Sequence, residues 1–283
     1  MLAVQRYTAM GALETAFRVY RAHFGLLFSV SLIVSVPAVL AAAVMDIQSQ
    51  SAPEDPMAGL ALVPIALLAS VLGSAFATAA AARLVSRSML GETLTLRGVL
   101  RETLAIFGRV IPAVLLSTLA IVGLALVMAA TVVGSVAGAG SEGARSMLGA
   151  VLGIGVAAIL IRIWMNWILV VPITAFEPVG ASAAMHRSAR LMNGRRLKVF
   201  GAMLRLVLLG AVFQGGAALL SALVPGDNIA LQVYRQLVVG AGSAIIAPLM
   251  CVALVLFYFD ARVDLEAFDE EQLARLTGST PSD

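Results

Sequence analysis

Six long apolar runs separated by short polar gaps make up most of this 283-residue chain. The first extends from about Phe24 to Met45, the second from about Leu60 to Ala82, the third from about Val110 to Ala137 and the fourth from about Met147 to Phe176. The fifth ends near Val224, and the sixth covers about Leu237 to Phe259. Runs of roughly 20 apolar residues are long enough to cross a hydrocarbon core as helices. The pattern therefore predicts six membrane spans.

The gaps differ in charge. Of the 19 Lys and Arg residues, 16 lie before the first run, in alternate gaps or after the last run; Arg145 and Arg235 lie in the intervening gaps, and Arg162 sits inside the fourth run. The gap after the first run carries Asp46, Glu54 and Asp55 without a basic residue. Arg83, Arg87, Arg97, Arg101 and Arg109 follow the second run, and the stretch from His186 to Arg205 follows the fourth. Basic residues beside spans are retained in the cytoplasm, so the alternation predicts that both termini are cytoplasmic. Residues 1–21 are too interrupted by Gln5, Arg6, Glu14, Arg18 and Arg21 to form the apolar core of a cleavable signal peptide.

Three segments at the basic gaps have helical amphipathic spacing. Met10, Leu13, Phe17, Tyr20 and Phe24 fall on one stripe opposite Glu14, Arg18 and Arg21. Leu96, Val99, Leu100, Leu104 and Phe107 face away from Arg97 and Arg101, after Thr95 as a candidate N-cap. Pro178–Met192 carries a weaker stripe of Ala184, Ser188 and Leu191, with Pro178 suited to a first turn and Asn193-Gly194 to the end. Each segment ends near a glycine that precedes a span: Gly25, Gly108 and Gly194, at separations of 83 and 86 residues. The predicted fold is all-α: a polytopic integral membrane bundle of six helices in three hairpins, each preceded by a cytoplasmic interfacial amphipathic helix. It forms one membrane domain over residues 1–283, with repeats at about 1–87, 88–176 and 177–260 and an acidic tail at 261–283. Small residues at four-residue spacing, Gly73/Ala77/Ala81, Gly134/Gly138 and Gly149/Gly153, mark expected surfaces of close helix contact.

Composition narrows the function classes. With 60% hydrophobic and 12% charged residues and a mean hydropathy of +0.98, the chain lies far from soluble domains. Its formal charge of +3 would suit nucleic acid in a soluble protein, but here the charge is confined to loops beside spans. The partner it predicts is the anionic lipid headgroup on the cytoplasmic side, with no role for nucleic acid. The single cysteine, Cys251, leaves no disulfide or thiolate metal site. Basic charge carried by 18 Arg and one Lys, with abundant Ala, is the usage expected of a GC-rich bacterial genome.

The chemistry of the chain is sparse. His23 and His186 are its only histidines, both at predicted inner interfaces, and no metalloprotease, hydrolase or phosphate-loop motif is present. No catalytic residue, metal site or cofactor is expected. No Asp or Glu falls well inside a span, which lowers the expectation of a proton-coupled transporter. The polar groups within spans are Arg162 and Asn166, one turn apart on the fourth, and Gln214 on the fifth. An arginine at the centre of a span costs about 2.5–3.5 kcal/mol on insertion scales. One account has Arg162 snorkelling to an interface marked by Trp164 and Trp167, with Asn166 and backbone carbonyls taking its protons. The other has Arg162, Asn166 and Gln214 lining a cytoplasm-open cavity that accepts a lipid phosphate or a partner's carboxylate. Arg187, Arg190, Arg195, Arg196 and Lys198 form a basic cluster suited to anionic lipid. The acids of the tail, Asp264, Glu266, Asp269, Glu270 and Glu271, are placed to dock on basic loops of the same chain or of a partner.

Two stretches carry a family resemblance. Residues 162–201 contain Arg162 and Trp164 in a span, then Pro172, Glu177, an Ala-rich helix with Arg187-Ser188, and Gly194 before the next span; residues 258–269 contain Tyr258, Asp260, Arg262, Glu266 and Asp269. This resembles bacterial membrane proteins of the glycerophosphoryl diester phosphodiesterase membrane-domain and YciC-like inner-membrane type, over about the last 120 residues. The Glu-Gly pair usual in that ending is Glu266-Ala267 here. The resemblance implies a six-span bacterial inner-membrane domain and adds Glu177, Asp260 and Arg262 to the candidate lipid- or partner-binding residues. It implies no phosphodiesterase activity, because that chemistry belongs to a soluble barrel whose histidines and metal-binding carboxylates this chain lacks. The sequence thus predicts a non-enzymatic membrane scaffold or subunit that contacts lipids and membrane-protein partners or further copies of itself. The alternative is a transporter or lipid-translocating protein with a headgroup site near Arg162.

Overall fold

A computed structural model describes residues 9–51, 62–92, 95–138, 141–223 and 229–266. Every regular element among them is a helix. The order is α1 (Ala9–Ala22), α2 (Phe24–Ser51), α3 (Val63–Met89), α4 (Leu96–Ala137), α5 (Glu142–Trp167), α6 (Val170–Phe176), α7 (Ala181–Leu191), α8 (Arg196–Ala222) and α9 (Ile229–Glu266). Six stretches are long and apolar enough to cross a membrane: Phe24–Met45, Val63–Met89, Leu96–Ala137, Glu142–Phe176, Arg196–Leu220 and Val233–Glu266. The chain is an all-helical, multi-pass integral membrane protein.

Consecutive spans pack side by side: α2 on α3, α4 on α5, and α8 on α9. In addition α9 lies against both α2 and α3, and α3 against α4, so the first and last pairs close on each other while α5 stands at the periphery. The approach is closest at glycines. A Cβ added at Gly73 would meet Val34 Cγ1 at 3.0 Å and Val34 O at 3.1 Å, and one at Gly240 would meet Val39 Cγ2 at 2.9 Å. Gly210 faces Ile246 and Gly242 faces Ala217 at 3.3 Å. Of the small-residue positions expected from spacing, Gly73 makes such a contact and Gly149 an ordinary one of 3.5 Å to Val136, whereas Gly134 and Gly153 face open space.

The core is concentrated at the end of the bundle that carries the arginines. There the last turns of α3 (Ala79–Ala82, Leu84, Val85), nearly all of α6, the first turns of α8 (Val199, Ala202, Met203) and the end of α9 (Val252, Leu256–Phe259) are buried together. At the opposite end α4 and α5 expose large apolar side chains, among them Leu119, Leu126, Val133 and Ile154.

The amphipathic segments behave differently from one another. α7 buries Ala184, Ser188 and Leu191, the stripe its spacing predicts. It begins at Ala181 after Gly180, leaving Pro178 outside the helix. It is followed by a turn in which Gly194 has a φ of +78°, a conformation glycine adopts at little cost. α1 packs through Ala12, Thr15, Ala16 and Val19, sharing buried Tyr20 and half-buried Leu13 with its predicted stripe; Met10, Phe17 and Phe24 remain exposed. Small residues let helix backbones approach, and the bulky apolar ones are left for lipid. Tyr20 reaches α9, donating its hydroxyl to Ile245 O at 2.6 Å, and burial raises its pKa. The expected second amphipathic helix is not separate. Leu96–Phe107 forms the first three turns of α4, which runs through Gly108 for 42 residues, about 63 Å. Thr95 caps it as expected, accepting from Gly98 N at 3.2 Å. What carries α4 past Gly108 is packing on both sides: Phe107 against Phe76 at 5.1 Å, and Arg109 bonded to α6.

Candidate functional site

The fourth span is broken between α5 and α6. The α5 helix stops at Trp167 and α6 begins at Val170; Pro172 favours the break, since it has no N–H to give to the carbonyl of Ile168 and its ring crowds that position. Fully buried Ser188 of α7 repairs the gap: its hydroxyl donates to Asn166 O at 2.7 Å and accepts from Leu169 N at 3.3 Å. The far end of α6 is held by two cations. Arg109 Nε donates to Thr174 O at 2.7 Å and its Nη2 to Ala175 O at 2.9 Å, while Arg83 Nη2 reaches Ala175 O at 3.3 Å. Guanidiniums suit this position because the last carbonyls of a helix lack partners and carry partial negative charge.

Glu177, directly after α6, opens a charged network that runs to the end of α9. It accepts the Tyr258 hydroxyl at 2.8 Å and pairs with Arg187. Arg187 also grips Glu266 with two nitrogens, at 2.9 and 3.0 Å, and Arg262 Nε pairs with the same Glu266 at 2.9 Å. Arg262 lies over the Tyr258 ring at 5.7 Å and donates to its hydroxyl at 3.2 Å. Partial burial alone would lower the Arg187 pKa, but the bonds from Glu266 and Glu177 outweigh it and leave the guanidinium above its ordinary value. Beneath the network Tyr258 stacks on Phe176 at 5.4 Å, with Phe259 at 5.1 Å from Phe176.

A second knot lies one turn away. Asp260, almost fully buried, accepts from Arg195 at 3.2 Å and Lys198 at 2.6 Å, and Arg195 also binds Asp264. Five of the residues expected to bind a lipid or partner are thus engaged within the chain, Glu177, Arg187 and Arg262 in the first network and Arg195 and Asp260 in the second. The described part of the acidic stretch docks on the basic loop of its own chain; Asp269, Glu270 and Glu271 lie outside the described residues.

The remaining candidates separate into different places. Arg162 and Asn166 share a face of α5, as expected. Arg196 Nε donates to Asn166 Oδ1 at 2.7 Å, so Arg196 joins them across the interface with α8. Arg162 is exposed and no bond ties it to another described side chain. A groove of about 630 Å³ between α5 and α8 contains Arg162 and Arg196 with Ile161, Met165, Leu197 and Phe200. Gln214 does not belong to it. Eighteen residues beyond Arg196, it sits about 27 Å further along α8 and donates to Ser243 of α9. The expected cavity of Arg162, Asn166 and Gln214 is therefore corrected: Arg162 shares a groove with Arg196, Asn166 bonds Arg196 without lining that groove, and Gln214 lies elsewhere. Arg190 points away on the exposed side of α7. Spacing within a span could not reveal Arg83, Arg109, Lys198 or Tyr258 as partners, since each acts on a different element. Among the described residues no three His, Cys, Asp or Glu converge as metal ligands. No protein-family model matches the chain, and no curated protein or solved structure matches it either.

Proposed function

We propose that this protein is a non-enzymatic scaffold or subunit of the bacterial inner membrane, with both termini in the cytoplasm, that contacts anionic lipid headgroups and membrane-protein partners or further copies of itself. The observation that supports this reading best is the use of charge. Glu177, Asp260, Asp264 and Glu266 are all engaged by Arg187, Arg195, Lys198 and Arg262 of the same chain, which turns them into structural ties. A general acid or a proton relay needs a carboxylate that can exchange its proton with a substrate or with water. The basic end then acts as a rigid base at the cytoplasmic surface, and the exposed apolar faces of α4 and α5 are the surface offered to lipid and to partner helices.

A lipid-translocating role is the second reading, favoured by the groove that holds Arg162. Reconstitution of the pure protein in vesicles separates the two. A scaffold leaves labelled phospholipid and enclosed solute where they were; lipid movement that is abolished by Arg162→Leu in a folded protein overturns the scaffold reading.

A further inference from the structure

We infer that the groove between α5 and α8 is a binding site for an anionic glycerophospholipid, whose phosphate is held between the guanidiniums of Arg162 and Arg196 and whose acyl chains lie along Ile161, Leu197 and Phe200. The inference deepens the lipid-contacting role proposed above by naming the lipid class and the residues that select it.

Three observations converge. First, the lining is of one sign. Every residue around the groove is apolar, glycine or arginine, so two cations face a space with no acid in its wall. That differs from the Glu177 and Asp260 knots close by, where each cation has an acid of the same chain. Two unneutralised guanidiniums in one groove repel each other and are stabilised by an anion between them, and the planar fork of arginine matches phosphate oxygens. Second, Arg196 is oriented. Asn166 Oδ1 takes its Nε at 2.7 Å, which holds the guanidinium in place and leaves its terminal N–H groups for another acceptor. Asn166 is one turn from Arg162, so a single face of α5 supplies one cation and positions the other. Asn166 is a positioning residue here, and its own backbone carbonyl is held by Ser188.

Third, the surroundings suit a lipid more than a soluble anion. Arg162 lies in the stretch Glu142–Phe176 and Arg196 at the start of Arg196–Leu220, both apolar enough to cross a membrane. Leu197 is 87% exposed and Phe200 lines the same groove, so its mouth is flanked by apolar side chains that water would not favour. At about 630 Å³ the groove has the size of a small-molecule site. The first turn of α8 opens into it and adds the partial positive charge of a helix start.

The test uses the full-length protein in detergent and native mass spectrometry, titrated with phosphatidylglycerol or with phosphatidylcholine of the same acyl chains. The wild type is expected to hold one phosphatidylglycerol at least about tenfold more tightly than phosphatidylcholine, and Arg162→Gln is expected to abolish that preference. Arg162 has no bond within the described chain, so this variant keeps its fold. Arg196→Lys keeps the charge but loses the fork and is expected to weaken the preference by several-fold. Asn166→Leu should weaken it too, by releasing Arg196. Arg205→Gln, about 14 Å further along α8 and outside the groove, should leave it unchanged. Equal retention of the two lipids, or an undiminished preference in Arg162→Gln, overturns the site. So does full displacement by sn-glycerol 3-phosphate at the lipid's own concentration, which would make it a site for a soluble phosphate. Any of these results leaves the scaffold reading standing, because that reading is decided by vesicle transport.

Discussion

Helices α5 and α9 are both apolar enough to span a membrane, yet the protein treats them in opposite ways. In the most apolar 18 residues of the Glu142–Phe176 span none is buried, whereas 44% of the corresponding stretch of Val233–Glu266 is. Within a membrane, apolar character does not distinguish a lipid-facing helix from a buried one, since lipid tails are as apolar as leucine. What separates the two is fit and polar anchoring. α9 meets its neighbours at Gly240 and Gly242, with Val39 and Ala217 close enough to touch an added methyl, and its last turns carry Tyr258, Asp260, Asp264 and Glu266 into bonds with Glu177 after α6, with α7, with the turn after it, and with α8. α5 has glycines too, but Gly153 and Gly155 face open space, and its charged residue near the end, Arg162, looks into a groove.

The anchor at Asp260 is the place to break α9. Its side chain is 3% exposed and accepts from Arg195 and Lys198, which are themselves 14% and 28% exposed. Asp260→Asn removes the charge and keeps the shape. Stripping one partner from a buried ion pair costs about 3–5 kcal/mol, and the lower end applies because both cations retain contact with solvent and Arg195 keeps Asp264. A fall of several degrees in the midpoint of heat unfolding in detergent is the expected outcome. An unchanged midpoint would show that Asp260 does not anchor the end of α9.

Fit is tested by a pair of identical substitutions. Gly240→Ala places a methyl 2.9 Å from Val39 Cγ2, and a β-branched side chain on a helix has little freedom to turn aside. Overpacking of this kind costs about 1–3 kcal/mol. Gly153→Ala meets nothing within 4 Å and gains up to about 1 kcal/mol of helix preference. The two variants should move the unfolding midpoint in opposite directions. If both lower it, α5 is packed as α9 is and the contrast fails.

The spans and the three buried residues of α7 were legible because they depend on length and periodicity, which are local properties. Thr95 as a cap and Gly194 as a helix end were legible for the same reason. The break at Ile168-Leu169 was not. Pro37, Pro112 and Pro248 lie inside helices that continue, so a proline alone does not decide; the decisive group at Pro172 is Ser188, sixteen residues later on another helix. The charged candidates were visible as a basic loop and an acidic ending, but which cation meets each acid of α9 from α7, the turn after it or α8 is set by residues 62 to 79 apart in the chain. Gln214 was grouped with Arg162 by polarity, and depth along the helix is what separates them.

Arg162→Leu sharpens the comparison through the smallest effect. The side chain is exposed and makes no bond to another described residue, and surface substitutions away from specific contacts usually change stability by less than about 0.5 kcal/mol. Leucine also relieves the cost of a charge in an apolar stretch, so any change should be toward greater stability. Heat unfolding in lipid-free detergent isolates this term from whatever occupies the groove. The result to set against it is Asp260→Asn, which likewise deletes one charge from the basic end of an apolar helix. A midpoint lowered by Arg162→Leu to the same degree would mean that this arginine ties α5 into the bundle as Asp260 ties α9, and the groove would then have no free cation to offer.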